Sequence, residues 1–218
     1  MEKWFVLGVD LDGVCADFYK GIKPLAAEWL GVPIESLVDN VKYGMPEWGM
    51  NRAPGGYDVF HRFAVNERNL FRILEPIKNA PQALRRLAHN HNVRVRILTH
   101  RLYVNYIHQT AVCQTVEWLD RHDIPYWDLC FMPDKSAVFA DLFVDDSEKV
   151  IKELQAAKQN VVIFSNSTNV GLSGRRALDW NELERMVLSD IEEWQKRTPG
   201  VPETTAKSEL VAPVGSGQ

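Results

Sequence analysis

Cysteine is scarce in this sequence. Only three cysteines occur among its 218 residues, at Cys15, Cys113 and Cys130. Three scattered cysteines do not make a disulfide framework or a paired-cysteine metal site. We therefore expect a reducing compartment, the cytoplasm, and we interpret Cys15 as a small buried apolar residue and not as a nucleophile.

The sequence also lacks a basic excess and a long apolar run. Its 25 basic residues are outnumbered by 29 acidic ones, which gives a formal net charge of −4 at pH 7. Such a chain does not neutralise the phosphates of a nucleic acid polymer, although a few local cations suffice for a small phosphorylated substrate. No apolar stretch approaches a membrane span, and a predicted strand begins too early for a signal peptide. We expect neither a nucleic acid polymer nor a membrane as a partner.

What the sequence does contain is an alternation of strand and helix patterns. Residues 4–10 form a nearly continuous apolar run, which is typical of a strand buried on both faces of a parallel sheet. After about residue 75 the alternation predicts parallel strand–helix–strand units in an α/β fold. The later strands are predicted at 93–98, 128–131, 142–144 and 161–164, and the helices at 80–90, 107–122, 147–159 and 179–196.

Between the first two strands the composition changes. Residues 17–72 combine repeated Gly and Pro breaks with many aromatic residues, and a short helix is predicted after Pro33. We predict a small helical domain here, inserted into an α/β core formed by residues 1–16 and 73–197. Residues 198–218 are rich in Pro, Gly, Ser and Thr, which predicts a disordered tail.

Pairs of aspartates follow two of the predicted strands. Asp10 and Asp12 are two residues apart, so their side chains leave the first strand on the same side, and Gly13 permits a sharp turn. Asp145 and Asp146 follow the fourth strand. Because the carboxyl ends of parallel strands meet at one edge, we expect the four carboxylates to bind a hard divalent cation, Mg²⁺. Taken alone, the first pair is also typical of a turn and the second of a helix N-terminus.

Three further polar residues follow strands at the same predicted edge. Thr99 and His100 end the second strand, and Lys135 follows the third. Together they could hold a phosphoryl group, and the ammonium of Lys135 could keep Asp10 ionised. The ordinary alternatives are a strand-end cap, an exposed histidine and a surface lysine.

In this order the motifs resemble those of the haloacid-dehalogenase-like (HAD) superfamily of phosphotransferases. The phrases DLDGVCADF, LEPIKNAPQALRRLA and DKSAVFADLFVDD are similar to its type-C 5′-nucleotidase branch, the 5′(3′)-deoxyribonucleotidases. The resemblance covers roughly residues 4–165. It implies a three-layer Rossmannoid core with a parallel sheet, and a small helical cap, here 17–72, inserted after the first strand.

For the chemistry, the resemblance implies a Mg²⁺-dependent phosphomonoester hydrolase. Asp10 would be the nucleophile that carries the phosphoryl group, and Asp12 would be the acid and base, kept protonated by its acidic neighbours. The metal site would be formed by Asp10, Asp12, Asp145 and Asp146. The phosphoryl oxygens would be held by Thr99, His100 and Lys135.

The resemblance also implies that the cap closes over the substrate. Its aromatic residues could stack on a nucleobase, and our candidates are Phe18, Trp48 and Tyr57; the alternative for each is a place in the cap's own core. Two positions depart from the better-known deoxyribonucleotidases. Those proteins have a small hydroxyl residue where this chain has His100, and a basic residue where it has Met132-Pro133.

These departures lie where the phosphate or sugar of a substrate would bind, so more than one substrate and activity stay open. We expect a nucleoside monophosphate as the substrate. The alternatives are a phosphatase for another small metabolite, such as a sugar phosphate, and a non-catalytic module that binds a nucleotide or a metal. A homodimer is left open, because the sequence does not determine the oligomeric state.

Overall fold

A parallel sheet of six strands forms the centre of the protein, whose computed structural model describes residues 4–53, 55–103 and 107–197. The strands are β1 (Phe5–Val9), β2 (Val93–Thr99), β3 (Asp128–Phe131), β4 (Leu142–Asp145), β5 (Val161–Phe164) and β6 (Arg176–Ala177). Their spatial order is β3-β2-β1-β4-β5-β6, and each neighbouring pair is parallel. The predicted α/β fold class is confirmed, whereas the two-residue strand β6 was not predicted.

Helices connect the strands and cover the sheet. They are α1 (Phe18–Leu30), α2 (Gly56–Arg68), α3 (Leu70–Ile73), α4 (Ala80–Asn90), α5 (His108–Arg121), α6 (Glu148–Ala156) and α7 (Trp180–Arg197). Short 3₁₀ turns occur at Ile34–Ser36, Pro46–Trp48 and Lys135–Ala137. The helix predicted after Pro33 is therefore only a single 3₁₀ turn, too short to be a packing element of its own.

The central strands are apolar because both of their faces are covered. Every residue of β4 and β5 is buried. The chain leaves β1 for β2 on one side and later returns to β4 on the other, so β1 and β4 flank the switch point of the sheet. A crevice forms beyond the carboxyl ends of strands at such a point. Asp10 extends the β1–β4 pairing there, since its N–H donates to the carbonyl of Val144 at 3.0 Å.

Residues 17–72, which we call the insertion, contain α1, α2, most of α3 and two of the 3₁₀ turns. The insertion is tied to α5 through Gln114. That side chain donates from Nε2 to the carbonyl of Val65 at 2.8 Å and accepts the N–H of Phe71 at 3.2 Å. The helical content agrees with the expected cap, and the division of the chain into a core and a separate cap domain stays a prediction.

The last helix supports the turn that follows β1. Trp180 in α7 is fully buried, and its Nε1 donates to the carbonyl of Val14 at 2.7 Å. The predicted tail, 198–218, lies outside the described residues. Among the described helices, none combines the length and the apolar character that a bilayer crossing requires.

Candidate active site

The turn after β1 packs closely against Asp146, a residue of the second acidic pair. Gly13 has a φ of +89°, which non-glycine residues rarely adopt. A Cβ atom at this position would lie 2.2 Å from Oδ2 of Asp146. Gly13 therefore serves two needs at once, the backbone conformation of the turn and the close approach of Asp146.

Three carboxylates converge at the switch point. Oxygens of Asp10, Asp145 and Asp146 all lie within 4.8 Å of one another, and all three residues are buried. Asp145 is oriented by a hydrogen bond, since its Oδ1 accepts the N–H of Ser147 at 2.9 Å. The spacing and the oxygen ligands suit a hard divalent cation.

Lys135 is buried between two of these carboxylates. It lies on a 3₁₀ turn, and its Nζ donates to Oδ1 of Asp10 at 2.7 Å and to Oδ2 of Asp145 at 2.6 Å. Burial by itself would lower the pKa of Lys135, but the two carboxylates outweigh this effect and raise the pKa above its usual value. Lys135 therefore stays protonated, and its burial excludes the alternative of an exposed surface lysine.

One lysine does not balance three buried carboxylates. Burial raises the pKa of Asp10 to about 7; Lys135 opposes the rise, and Asp145 and Asp12 add to it. The pKa of Asp146 also lies well above its usual value, first because of burial and then because of Asp10. A divalent cation at these oxygens would supply the missing positive charge. The donor set therefore fits a metal ion.

The fourth acidic residue of the predicted set behaves differently. Both carboxylate oxygens of Asp12 are engaged by Arg101, from Nη2 to Oδ1 at 2.6 Å and from Nε to Oδ2 at 2.9 Å. The side chain of Asp12 does not belong to the convergent group that the described residues form. We expected acidic neighbours around Asp12, and the structure adds a guanidinium that sequence reasoning missed. The only signal was the position of Arg101, two residues beyond Thr99.

Asp146 is held by residues that follow β5. Asn166 Nδ2 donates to Oδ2 of Asp146 at 2.5 Å, and Asn169 Nδ2 donates to the Asp146 carbonyl at 2.9 Å. Arg176 in turn donates from Nη1 to Oδ1 of Asn169 at 2.8 Å. Sequence reasoning missed these residues too, although the run Ser165–Asn169 is a polar strand end like the others.

The two residues that end β2 have contrasting environments. Thr99 is buried, and its Oγ1 has no hydrogen-bond partner among the residues that the structure describes. A buried hydroxyl in this condition is free to bind a ligand oxygen. His100 is exposed, and its ring lies 5.6 Å from that of Tyr103. Their predicted roles in holding phosphate stay predictions.

Aromatic rings surround a buried histidine in the insertion. The ring centroids of Phe18, Tyr57, Phe71 and Tyr103 lie 5.4 to 6.3 Å from that of His61. Burial lowers the pKa of His61 to about 4, so the ring is neutral near pH 7. Within the described parts of the chain, His61 Nδ1 has no hydrogen-bond partner. The cluster therefore offers a polar atom to a ligand as well as aromatic faces.

The three aromatic candidates are not equivalent. Trp48 is 6% exposed, and its Nε1 donates to the carbonyl of Val38 at 2.8 Å, which favours a role in the core of the insertion. Phe18 and Tyr57 border the His61 cluster. A role for any of the three in stacking on a base stays a prediction, and the geometry favours the latter two.

The fold is shared with known hydrolases. The solved structure of a HAD-superfamily hydrolase, subfamily IA, from Geobacter sulfurreducens superposes with a TM-score of 0.52 at 17% sequence identity. The match covers 84% of this chain and 96% of that one. The parallel sheet and the acidic switch point thus place the protein in the HAD-like class of α/β folds.

Sequence comparison narrows the class to a family. The family described as "5′ nucleotidase, deoxy (Pyrimidine), cytosolic type C protein" matches residues 4–192. A curated protein of Chlorobaculum tepidum, provisionally named a 5′(3′)-deoxyribonucleotidase, is 46% identical over 182 residues, which make up 84% of this chain and 89% of that protein. The mitochondrial 5′(3′)-deoxyribonucleotidase of Mus musculus is 24% identical over 190 residues, 83% of each chain. The chain belongs to this 5′-nucleotidase family.

Proposed function

We propose that this protein is a Mg²⁺-dependent phosphatase that releases phosphate from nucleoside monophosphates. One observation carries the proposal. Asp10, Lys135, Asp145 and Asp146 come from distant parts of the chain and converge at the switch point of the sheet. The names of the two curated relatives support the nucleotide as the class of substrate.

Asp10 is the nucleophile in this proposal. An oxygen of its carboxylate attacks the phosphorus atom, the bond to the leaving oxygen breaks, and the phosphoryl group stays on Asp10 until water displaces it. Forming this covalent intermediate divides one difficult hydrolysis into two easier steps. Lys135 stabilises the ionised form of Asp10 through the contact at 2.7 Å and offers positive charge to the phosphoryl oxygens.

Asp12 is the acid and base of the same proposal. It gives a proton to the leaving oxygen in the first step and takes one from the attacking water in the second. Its place outside the convergent carboxylates supports this division, because a group that serves the leaving oxygen must face the substrate and not the metal.

Mg²⁺ would be held by Asp10, Asp145 and Asp146, with the backbone carbonyl of Asp12 as a further candidate ligand. When bound, it would neutralise charge on the transferring phosphoryl group. The raised pKa values of Asp10 and Asp146 support a resident cation, since both carboxylates carry a cost of burial that a cation relieves. Thr99, His100 and Lys135 are the proposed phosphate ligands.

A phosphate-release screen of the purified protein tests the proposal. It should include ribo- and deoxyribonucleoside monophosphates with phosphate at the 5′ or the 3′ position, sugar phosphates and a metal-free control. We expect release from nucleoside monophosphates only when Mg²⁺ is present. No release from any phosphomonoester would overturn the phosphatase and favour a module that only binds.

A sugar-phosphate phosphatase is the second candidate, because His100 and Met132-Pro133 depart from the better-known deoxyribonucleotidases. Faster release from sugar phosphates in the same screen would favour it. The homodimer and the cytoplasmic location stay predictions, and light scattering during gel filtration would test the first of them.

A further inference from the structure

We infer that Arg101 is a positioning residue for Asp12, an inference that rests on the proposed phosphatase function. The guanidinium meets the Asp12 carboxylate in a two-point contact, at 2.6 and 2.9 Å. The Arg101 side chain is 1% exposed and that of Asp12 is 24% exposed. Such a pair has a defined geometry that a flexible surface ion pair does not have.

Arg101 is itself held on its remaining sides. Its third nitrogen, Nη1, donates to Oγ1 of Thr115 at 3.0 Å, and that hydroxyl donates to the carbonyl of Ala111 at 2.6 Å. The guanidinium carbon lies 4.1 Å from the ring centroid of Phe71, a favourable cation–π arrangement. The guanidinium is therefore fixed before it meets Asp12, and it can orient the carboxylate.

The supports of Arg101 come from two parts of the molecule. Thr115 lies on α5, whereas Phe71 lies on α3 at the end of the insertion. The two are joined, because the N–H of Phe71 donates to Oε1 of Gln114 on α5 at 3.2 Å. The orientation of Asp12 thus depends on how the insertion is seated against α5.

This arrangement explains why Asp10 and Asp12 do different work although they are neighbours. Asp10 is directed toward Lys135 and the convergent carboxylates, and Asp12 is directed toward Arg101. With both oxygens engaged as acceptors, Asp12 must release one of the two contacts and take up a proton at the freed oxygen before it can protonate a leaving oxygen. The other contact then keeps the carboxylate in place during proton transfer.

The test compares Arg101→Gln and Arg101→Lys with wild type, using the best nucleoside monophosphate from the screen and saturating Mg²⁺. We expect Arg101→Gln to lower kcat about 10- to 100-fold, the range that a small misplacement of a reacting group produces, with KM changed less than about threefold. Arg101→Lys should recover part of the loss, because an ammonium replaces only one of the two contacts. An unchanged kcat, or an effect confined to KM, would overturn the inference.

Arg86→Gln is the matched control. Arg86 also makes a two-point contact with a carboxylate, at 2.8 and 2.6 Å to Glu184, but on the surface between α4 and α7. This variant should keep wild-type kcat. Circular dichroism decides whether Arg101→Gln folds, and if it does not, Arg101→Lys carries the comparison.

A double-mutant cycle separates positioning from direct action on the substrate. If Arg101 acts through Asp12, Arg101→Gln should change kcat less than about twofold when Asp12→Asn is already present. Fully additive effects would contradict the inference. If the wild-type protein is inactive, the proposed function is refuted but the positioning inference is still open to test. Crystal structures of the wild type and of Arg101→Gln then provide the test, because an Asp12 side chain that keeps its orientation in Arg101→Gln would refute positioning.

Discussion

The edge of the sheet and the aromatic cluster of the insertion are built on different principles. At the edge, charged and amide side chains are fixed by contacts of 2.5 to 2.9 Å, as Lys135, Asp145 and Asp146 show. In the insertion, His61 is surrounded by rings, of which that of Tyr103 comes from outside the insertion, and His61 Nδ1 lacks a hydrogen-bond partner among the described residues. The edge is held by charged contacts, whereas the cluster around His61 is held by the packing of rings.

The largest expected effect is the loss of activity on replacing Asp10, at the carboxyl edge of the sheet. Asp10→Asn should lower kcat by at least about 10³-fold, since removing a covalent nucleophile removes the reaction path. Steady-state phosphate release measures the loss, and circular dichroism checks the fold. Asp179→Asn is the control, because Asp179 is exposed before α7 and an asparagine still caps that helix. Comparable turnover in Asp10→Asn and wild type would remove the proposed mechanism.

The second prediction concerns the charge imbalance at the edge. The pKa of Asp10 rises from 3.8 to about 7 on folding, so the folded state binds its proton more tightly than the unfolded state does. Metal-free protein should therefore lose stability as the pH rises through this interval, by up to about 1.4 kcal/mol per unit of pKa shift. Urea unfolding at several pH values measures the slope.

Two comparisons isolate the source of this slope. Asp10→Asn should have a less negative slope than wild type, and saturating Mg²⁺ should flatten the wild-type slope, because a bound cation favours the ionised carboxylate. If the free energy of unfolding depends on pH equally in wild type and Asp10→Asn, the titration of Asp10 is not the source of the slope.

A third prediction concerns the turn that joins the two aspartates. Gly13→Ala should lower the free energy of unfolding by about 1–3 kcal/mol, because it adds strain at positive φ and a contact with Asp146. Gly44→Ala is the matched control: its φ is +74°, but a Cβ there meets nothing within 4 Å. Chemical denaturation should give the smaller loss for Gly44→Ala. Equal losses would mean that backbone strain alone sets the cost.

The smallest effects are expected in the insertion. Tyr57→Leu should raise KM for nucleoside monophosphates roughly fivefold or more, since stacking on a base contributes about 1–3 kcal/mol. The same variant should leave KM unchanged for a phosphomonoester that contains no ring. Trp48→Phe should leave both KM values unchanged and lower stability by about 1 kcal/mol through the lost bond to Val38. The opposite pattern would restore Trp48 as the residue that contacts the base.

Local pattern was enough to predict the α/β fold class and to place the acidic residues at the ends of strands. The apolar run before Asp10 and the alternation after residue 75 reflect burial of the sheet on both faces, and this constraint acts on each strand separately. The spacing of Asp10 and Asp12 likewise follows from two-residue periodicity. Because parallel strands end at one edge, Thr99, Lys135 and Asp145 could be assigned to the same side of the sheet without coordinates.

Only the tertiary structure decided which side chains meet. Arg101 pairs with Asp12 across 89 positions of sequence, and Asn166 meets Asp146 although α6 and β5 lie between them in the chain. Trp48 and Tyr57 have the same aromatic character in the sequence, yet one has its polar atom bonded to the backbone and the other borders the His61 cluster. Sequence pattern records which face of an element is buried. Which residue lies opposite depends on how distant elements pack, and that packing assigned Asp10 and Asp12 to different partners.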